Sequence, residues 1–171
     1  MATGKKGKDF LKEVGILARL TANELDLVWG IVKQMSAPAG TVIIREGDVG
    51  DSMYFFAEGQ VNVTKNLTLK LGKQGFRQAE KSFVKLDSSE VSFFGDMAMF
   101  EDDTRSATIT ASTGCLLYEI KREDFENLCT THPHLGYKIL REIAPVLCRR
   151  IRKGNLDVLK LSTALSIALT K

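Results

Sequence analysis

The sequence predicts a mainly β fold, an antiparallel β-barrel or jelly roll with helices at its N-terminal and C-terminal ends. Short runs rich in β-branched and aromatic residues fill much of residues 41–120, and turn residues such as Gly47-Asp48 separate them. Apolar residues recur at intervals of three and four on both sides of this region, which is helical spacing. The 171 residues, 44% of them hydrophobic, are enough for one domain with its own core.

Two helices are predicted ahead of the strands, over residues 10–20 and 23–35, because apolar residues there are three and four apart. Thr21 stands at the N-cap position of the second helix. Glu24 follows three residues later, which is the pattern of a capping box. The second helix therefore has a clear start signal.

Six strands are predicted after the helices, since apolar residues alternate there with a period of two. A polar stretch over residues 67–80 lies between two of them and predicts a hairpin. The predicted strands are residues 41–46, 53–58, 60–65, 82–86, 105–112 and 114–120.

Helical spacing returns at Arg122 and continues to Ile151. Pro145 lies inside this stretch and removes one helical hydrogen bond, so a kink or a break is predicted near it. The apolar stripe beyond it cannot be buried on a single helix; it either packs back on the barrel or pairs with a second copy, and we favour a homodimer. The predicted organisation is a flexible basic arm, a folded domain and an amphipathic C-terminal helix, at residues 1–9, 10–153 and 154–171.

Composition excludes several functional classes. A net charge of +3 is too small for a protein that coats nucleic acid. The cysteines, at positions 115, 129 and 148, form no C-x-x-C pair and indicate free thiols in a reducing compartment, while two histidines give no ligand set for a metal. No apolar segment follows the N-terminal lysines and no run of about 18 apolar residues occurs, so we expect a cytoplasmic protein without a membrane span. No nucleophile–base arrangement occurs either, so an enzyme is not predicted.

The clearest chemical signal lies between Phe94 and Thr108. Gly95 permits a close backbone approach, and Arg105 stands at the head of a predicted strand after a short helix-prone stretch. Amides at the start of a helix, with a guanidinium brought against them, suit one phosphate group. Asp96 would repel that phosphate and is better explained as the acceptor for a neutral hydroxyl such as a ribose 2′-OH. A phosphate and a sugar hydroxyl together indicate a nucleotide.

The spacing F-G-[acid]-x-A-x6-R-S-A-T, which begins at Phe94, resembles the phosphate-binding cassette of cyclic nucleotide-binding domains. Such domains occur in cyclic-AMP-dependent protein kinase regulatory subunits, catabolite activator protein and nucleotide-gated channels. Residues 40–63 resemble the opening strands of this family, and residues 118–128 resemble its exit from strand to helix. The resemblance covers roughly residues 10–152 and implies the same fold.

The resemblance also implies a ligand and a role for each cassette residue. Arg105 would pair with the cyclic phosphate, the amides of Ala98 and Ser106 would donate to it, and Gly95 with Asp96 would hold the ribose 2′-OH. The predicted ligand-binding set is Gly95, Asp96, Met97, Ala98, Arg105, Ser106 and Ala107. The candidates for a contact to the base, on the helix after the barrel, are Arg152, Asn155 and Leu156. Adenine and guanine are not distinguished, so the implied ligand is cyclic AMP or cyclic GMP, with no other cofactor.

Arg105 of this set, and Gly50 outside it, also have plainer interpretations. Taken alone, Arg105 fits a surface arginine paired with Asp102 or Asp103. Gly50 fits a turn glycine without a ligand role. Within the full cassette we favour the phosphate role for Arg105.

Two functions from different classes follow. The first is a stand-alone regulatory module that senses a cyclic nucleotide and signals to a partner protein, or to its own dimer, by movement of its C-terminal helices. The alternative is a degenerate cyclic nucleotide-binding fold that acts as a protein-interaction or dimerisation module without tight nucleotide binding. Asp96, one methylene shorter than the family's usual glutamate, and the altered segment 87–92 favour the alternative. Only 18 residues follow Lys153, so no DNA-binding domain is expected on this chain.

Overall fold

Two antiparallel sheets of four strands form the centre of the molecule, with helices on both sides of them in the sequence. The computed structural model describes residues 7–70 and 76–170, without the side chains of residues 67–83. The strand orders are β1-β8-β3-β6 and β2-β7-β4-β5, which confirms the predicted mainly β fold with flanking helices. The strands are β1 Lys33–Ala37, β2 Val42–Ile44, β3 Ser52–Glu58, β4 Gln60–Lys70, β5 Phe76–Asp87, β6 Phe93–Phe94, β7 Thr108–Ala111 and β8 Cys115–Lys121.

Strand β3 shows how the chain builds two cores at once. Successive side chains of a strand point to opposite faces. Met53 and Phe55 pack into a core shared with the helices, whereas Tyr54 and Phe56 pack into a core between the two sheets. Both faces of β3 are therefore buried, which explains why its apolar residues form a nearly continuous run.

The first predicted helix is wrong in type. Residues 10–20 form two short 3-10 helices, Lys8–Glu13 and Gly15–Leu17, instead of one α-helix. Phe10 and Leu11 are nonetheless buried, so the apolar spacing correctly marked residues of the core. The two 3-10 helices thus place these residues in the core shared with the helices, although they do not form one continuous helix.

The second predicted helix is correct at its start and wrong at its end. Helix α1 spans Ala22–Gly30, and Thr21 and Glu24 form the predicted capping box. The chain then turns into strand β1, which pairs antiparallel with β8. Residues 33–35 therefore belong to a strand, because hydrogen bonding to β8 outweighs their helical spacing.

Glu24 also joins α1 to the C-terminal helix. Its carboxylate accepts hydrogen bonds from Lys138 Nζ at 2.7 Å and from the Thr21 amide at 2.8 Å. The bond from Lys138 is the main reason that the pKa of Glu24 falls from 4.5 to about 2. The folded state therefore holds this carboxylate in its charged form.

We expect this contact to make the free energy of unfolding depend on pH in the acid range. A carboxyl whose pKa is lowered by folding stabilises the fold above its unfolded pKa, and the contribution is lost as the pH falls from about 4.5 to about 2. The Glu24→Gln variant should lose less stability than the wild type over that range, as measured by urea unfolding. Equal acid dependence of the two proteins would show that the Glu24 contact is not linked to folding.

Two helices follow β8: α2 spans Arg122–Thr131 and α3 spans Pro133–Leu169. Of the kink or break predicted near Pro145, a break does not occur: α3 continues through this residue although its ring removes one N–H donor. Helix α3 also passes Gly154, and residues 148–170 are exposed. The C-terminal stripe does not pack back on the sheets, so this predicted alternative is wrong.

Two predicted segments fall partly outside the described residues. The basic arm at residues 1–9 is described only from residue 7, and the 3-10 helix already begins at Lys8. The predicted hairpin at residues 67–80 overlaps the paired ends of β4 and β5, and residues 71–75 lie outside the described residues.

Candidate functional site

A cavity of about 410 Å³ lies at the predicted cassette. Its apolar walls come from strands of the second sheet and from Phe94. Helix α3 contributes Arg150 and Lys153. All seven residues of the predicted ligand-binding set line it: Gly95, Asp96, Met97, Ala98, Arg105, Ser106 and Ala107. A volume of this size falls in the range of small-molecule sites.

Gly95 brings the two sides of the cassette together. Its φ of 77° lies in the left-handed region, which an L side chain rarely adopts. A Cβ atom there would also lie 3.1 Å from Ile44 Cδ1 and 3.2 Å from Arg105 Nη1. The short 3-10 helix Asp96–Met99 begins directly after this glycine. The close backbone approach expected from the sequence is therefore present.

Arg105 is partly buried and is held by neutral groups. Its Nη1 donates to the carbonyls of Ser52 at 2.7 Å and Gly95 at 3.2 Å, and its Nη2 donates to Ser52 Oγ at 3.1 Å. Ser52 in turn donates to Tyr54, which donates to Glu119. Burial lowers the pKa of the Arg105 guanidinium, which nevertheless stays charged at neutral pH. Its Nε–H and one Nη2–H have no acceptor in the described part of the chain.

The plainer interpretation of Arg105 does not hold. Asp102 pairs with Arg122 instead, and Asp103 accepts from the amide and hydroxyl of Thr104. No carboxylate forms an ion pair with Arg105 among residues 7–70 and 76–170. Its positive charge therefore faces the cavity without a counter-ion.

Gly50 supports Arg105, although the sequence marked it only as a turn glycine. A Cβ atom at position 50 would lie 2.1 Å from Arg105 Nε and 2.4 Å from its Cζ. The guanidinium end of Arg105 therefore packs directly against the backbone at Gly50. Any residue with a Cβ atom at position 50 would therefore force Arg105 to move.

We expect Gly50→Ala to displace Arg105 and to weaken the binding of an anionic ligand on the order of 10- to 100-fold, because a displacement of about 1 Å is enough for such a loss. Calorimetric titration would measure this. Gly114→Ala is the matched control, since nothing lies within 4 Å of a Cβ atom there and its φ is not positive. Equal affinities of the two variants would contradict the supporting role of Gly50.

Asp96 is the second buried charge of the site and has a partner on α3. Its side chain is 4% exposed, and Arg150 Nη1 donates to both carboxylate oxygens, at 2.6 and 2.8 Å. Arg150 Nη2 also donates to the carbonyl of Phe93 at 3.3 Å, and its guanidinium lies 5.0 Å from the centre of the Phe93 ring. Arg150 thus joins α3 to the cassette.

Sequence reasoning missed Arg150 and placed the contacts from α3 slightly elsewhere. Arg152, Asn155 and Leu156 lie exposed on α3 and do not line the cavity in this structure, so their contact with a base stays a prediction. Arg150 and Lys153 line it instead. The only available signal was the basic cluster at residues 149–153, which does not show which cation faces inward.

The described residues contain no cluster of three histidine, cysteine or acidic side chains that could hold a metal ion. Within the same part of the chain, no helix is both long enough and apolar enough to span a membrane.

Residues 34–132, more than half of the chain, match the family of cyclic nucleotide-binding domains. The chain therefore belongs to this family, and the resemblance drawn from the cassette is confirmed. Members of the family are regulatory domains.

Several relatives carry the same region within longer proteins. A cyclic nucleotide-gated potassium channel of Mesorhizobium japonicum is 33% identical over 66% of this chain and 27% of the channel. The cAMP-dependent protein kinase regulatory subunit of Aspergillus niger is 31% identical over 70% of this chain and 26% of the subunit. Glutaminase 1 of Bradyrhizobium diazoefficiens is 29% identical over 86% of this chain and 22% of that protein. The chain thus spans about a quarter of the length of these relatives.

The same fold occurs in the crystal structure of the Thermus thermophilus catabolite activator protein. The TM-score is 0.70 at 26% identity, over 86% of this chain and 63% of that one. The sheets and flanking helices described above are therefore those of a known cyclic nucleotide-binding fold.

Proposed function

We propose that this chain is a regulatory module that binds a cyclic nucleotide, cyclic AMP or cyclic GMP, in the cassette cavity. Arg105 carries the proposal: it is a cation fixed by Ser52 and Gly95, and two of its N–H groups are free for an anion. Such a guanidinium binds phosphate through paired hydrogen bonds. The channel and the kinase subunit, both named for cyclic nucleotides, support this ligand class.

The pair of Asp96 and Arg150 connects the site with α3. Arg150 reaches both oxygens of Asp96 through a single nitrogen, and a carboxylate offers about four acceptor positions. A ribose 2′-OH can therefore donate to Asp96 while Arg150 stays bonded. A ligand that binds in this way stabilises the position of α3 in which Arg150 stays paired with Asp96. Binding would be signalled by this shift in the position of α3.

The second candidate function is an interaction module without tight nucleotide binding. The same ion pair favours it, because Asp96 already has a charged partner within the chain and needs no ligand to satisfy it. Measurement of ligand binding distinguishes the two functions. In both of them the partner is a signalling protein or a second copy of the chain, and the free cysteines suit a cytoplasmic location.

Hydrogen exchange tests the proposed site directly. Cyclic AMP or cyclic GMP should slow the exchange of amides in residues 94–107 and alter exchange in the part of α3 that carries Arg150. The control ligand is 5′-AMP, whose open phosphate has a different shape and charge. Unchanged exchange with both cyclic nucleotides would leave the interaction module as the better description.

We further propose that the exposed stripe on α3 is a dimer contact. Ile151, Val158, Leu161 and Leu165 are 60 to 71% exposed, and their spacing of seven, three and four residues is that of a coiled-coil seam. Ile151, Val158 and Leu165 share one heptad position, and β-branched residues at two of these three sites favour a two-stranded coiled coil. The proposed occupant of the stripe is therefore the same stripe of a second copy.

We expect light scattering to show a dimer for the wild type and a monomer for the Val158→Lys/Leu161→Lys variant, since a buried lysine at a seam is costly. The matched control is Leu156→Lys/Leu159→Lys, at positions 57 and 62% exposed but away from the seam. A monomeric wild type, or equal loss of the dimer in both variants, would contradict the seam.

A further inference from the structure

Arg122, the first residue of α2, donates several hydrogen bonds to backbone carbonyls around the site. The functions proposed above give it no role. Its Nε donates to the carbonyl of Ala98 at 2.6 Å, and its Nη2 donates to the carbonyl of Glu101 at 2.7 Å. The Ala98 carbonyl lies within the short 3-10 helix Asp96–Met99, and the Glu101 carbonyl lies just after that helix, ahead of Arg105. The side chain is 18% exposed, so these bonds are largely shielded from water.

Arg122 also holds the loop beneath Arg105. Its Nη2 donates to the carbonyl of Gly50 at 3.2 Å, and its own amide donates to the carbonyl of Asp51 at 2.6 Å. Gly50 is the residue against which the Arg105 guanidinium lies. One arginine thus joins the loop beneath Arg105 to the backbone of Ala98 and Glu101, two residues that line the cavity.

We propose that Arg122 is a positioning residue of the ligand site: it fixes the Gly50 loop and the Ala98 segment relative to each other and so sets the place of Arg105. The proposal rests on the cyclic nucleotide function proposed above. Arg122 does not line the cavity, so its effect on a ligand passes through these carbonyls. Its pair with Asp102 contributes little by comparison, because that carboxylate is 94% exposed.

The geometry requires a guanidinium and not only a positive charge. Arg122 serves the carbonyls of Gly50, Ala98 and Glu101 at the same time through different N–H groups in one plane. A lysine ammonium is a single point and cannot reach all three acceptors in this arrangement. Arg122→Lys therefore keeps the charge and the aliphatic stem but loses the connection between the two segments.

We expect Arg122→Lys to weaken the binding of cyclic AMP or cyclic GMP on the order of 10- to 100-fold, the usual effect of removing an outer support of a preorganised site. In an Arg105→Ala background the same substitution should cost much less, because there is no longer a guanidinium to position. The matched control is Lys121→Ala, whose ammonium makes only an exposed contact of 3.6 Å with Asp51. Equal losses in both backgrounds would overturn the proposal and leave a general structural role.

Hydrogen exchange without ligand separates this proposal from the function on which it rests. Amides of residues 97–105 should exchange faster in Arg122→Lys than in the wild type, while those of β3 and β8 should not change. Should the wild type bind no cyclic nucleotide, the proposed function fails, and this comparison still decides whether Arg122 positions the segment. Unchanged exchange at residues 97–105 would overturn the positioning role.

Discussion

Replacing Arg105 with alanine is expected to weaken cyclic nucleotide binding by about 2 to 5 kcal/mol, or roughly 30- to 5,000-fold. The guanidinium is the only cation of the cassette itself, and carbonyls fix it instead of a carboxylate. Its loss removes both the charge and the paired donors that a phosphate needs. Calorimetric titration of wild type and variant with the same ligand measures the difference.

Two further variants show whether the loss comes from the phosphate contact. Arg105→Lys keeps the charge without the fork and should recover only part of the affinity. Arg141→Ala removes an exposed arginine of α3 that does not line the cavity, and should bind like the wild type. An Arg105→Ala protein that is folded and binds normally would rule out Arg105 as the phosphate ligand.

Replacing Arg150 with alanine is expected to lower the free energy of unfolding by about 2 to 3 kcal/mol. The substitution leaves the buried carboxylate of Asp96 without its partner, a change that costs about 3 to 5 kcal/mol in a fully buried pair. Arg150 keeps 43% of its side chain exposed, so water can reach the gap and reduce the cost. For a chain of this size the melting temperature should fall by about 4 to 12 °C.

The cause of this instability can be tested by also removing the unpaired charge of Asp96. Adding Asp96→Asn to Arg150→Ala should restore part of the lost stability, because a neutral amide is less costly to leave buried than a carboxylate. Arg149→Ala, at an exposed neighbouring position, should change the free energy of unfolding by less than about 0.5 kcal/mol. A double variant as unstable as Arg150→Ala would show that the Asp96 charge is not the cause.

The sequence predicted those parts of the fold that depend on local pattern. The capping box at Thr21 and the strands β3 and β8 carry signals within a few residues, and the structure has them. Residues 33–35 of strand β1 fall in the second predicted helix, because they continue the helical spacing of α1 and only pairing with β8 makes them a strand. A kink or a break was expected near Pro145, and a break does not occur because the helix continues past it. These errors arise where contacts distant in sequence determine the conformation.

The difference between local pattern and distant contacts also separates the predicted residues of the site from the missed ones. The cassette is one contiguous segment, so its resemblance to a known motif implied the seven ligand-binding residues, and all seven line one cavity. Arg150 and Gly50 lie about 50 residues from the cassette groups they contact. Nothing local marks an arginine on a distant helix as the partner of a buried acid, or a turn glycine as the support of a guanidinium. Such supporting residues require the fold.

The most direct test of the central claim is a calorimetric titration of the purified chain, freed of any carried-over ligand, with cyclic AMP and cyclic GMP. Binding of at least one of them with a dissociation constant in the micromolar range or tighter, and no comparable binding of 5′-AMP, is the predicted result. A folded protein that binds neither cyclic nucleotide would contradict the claim and identify the chain as an interaction module built on the same fold.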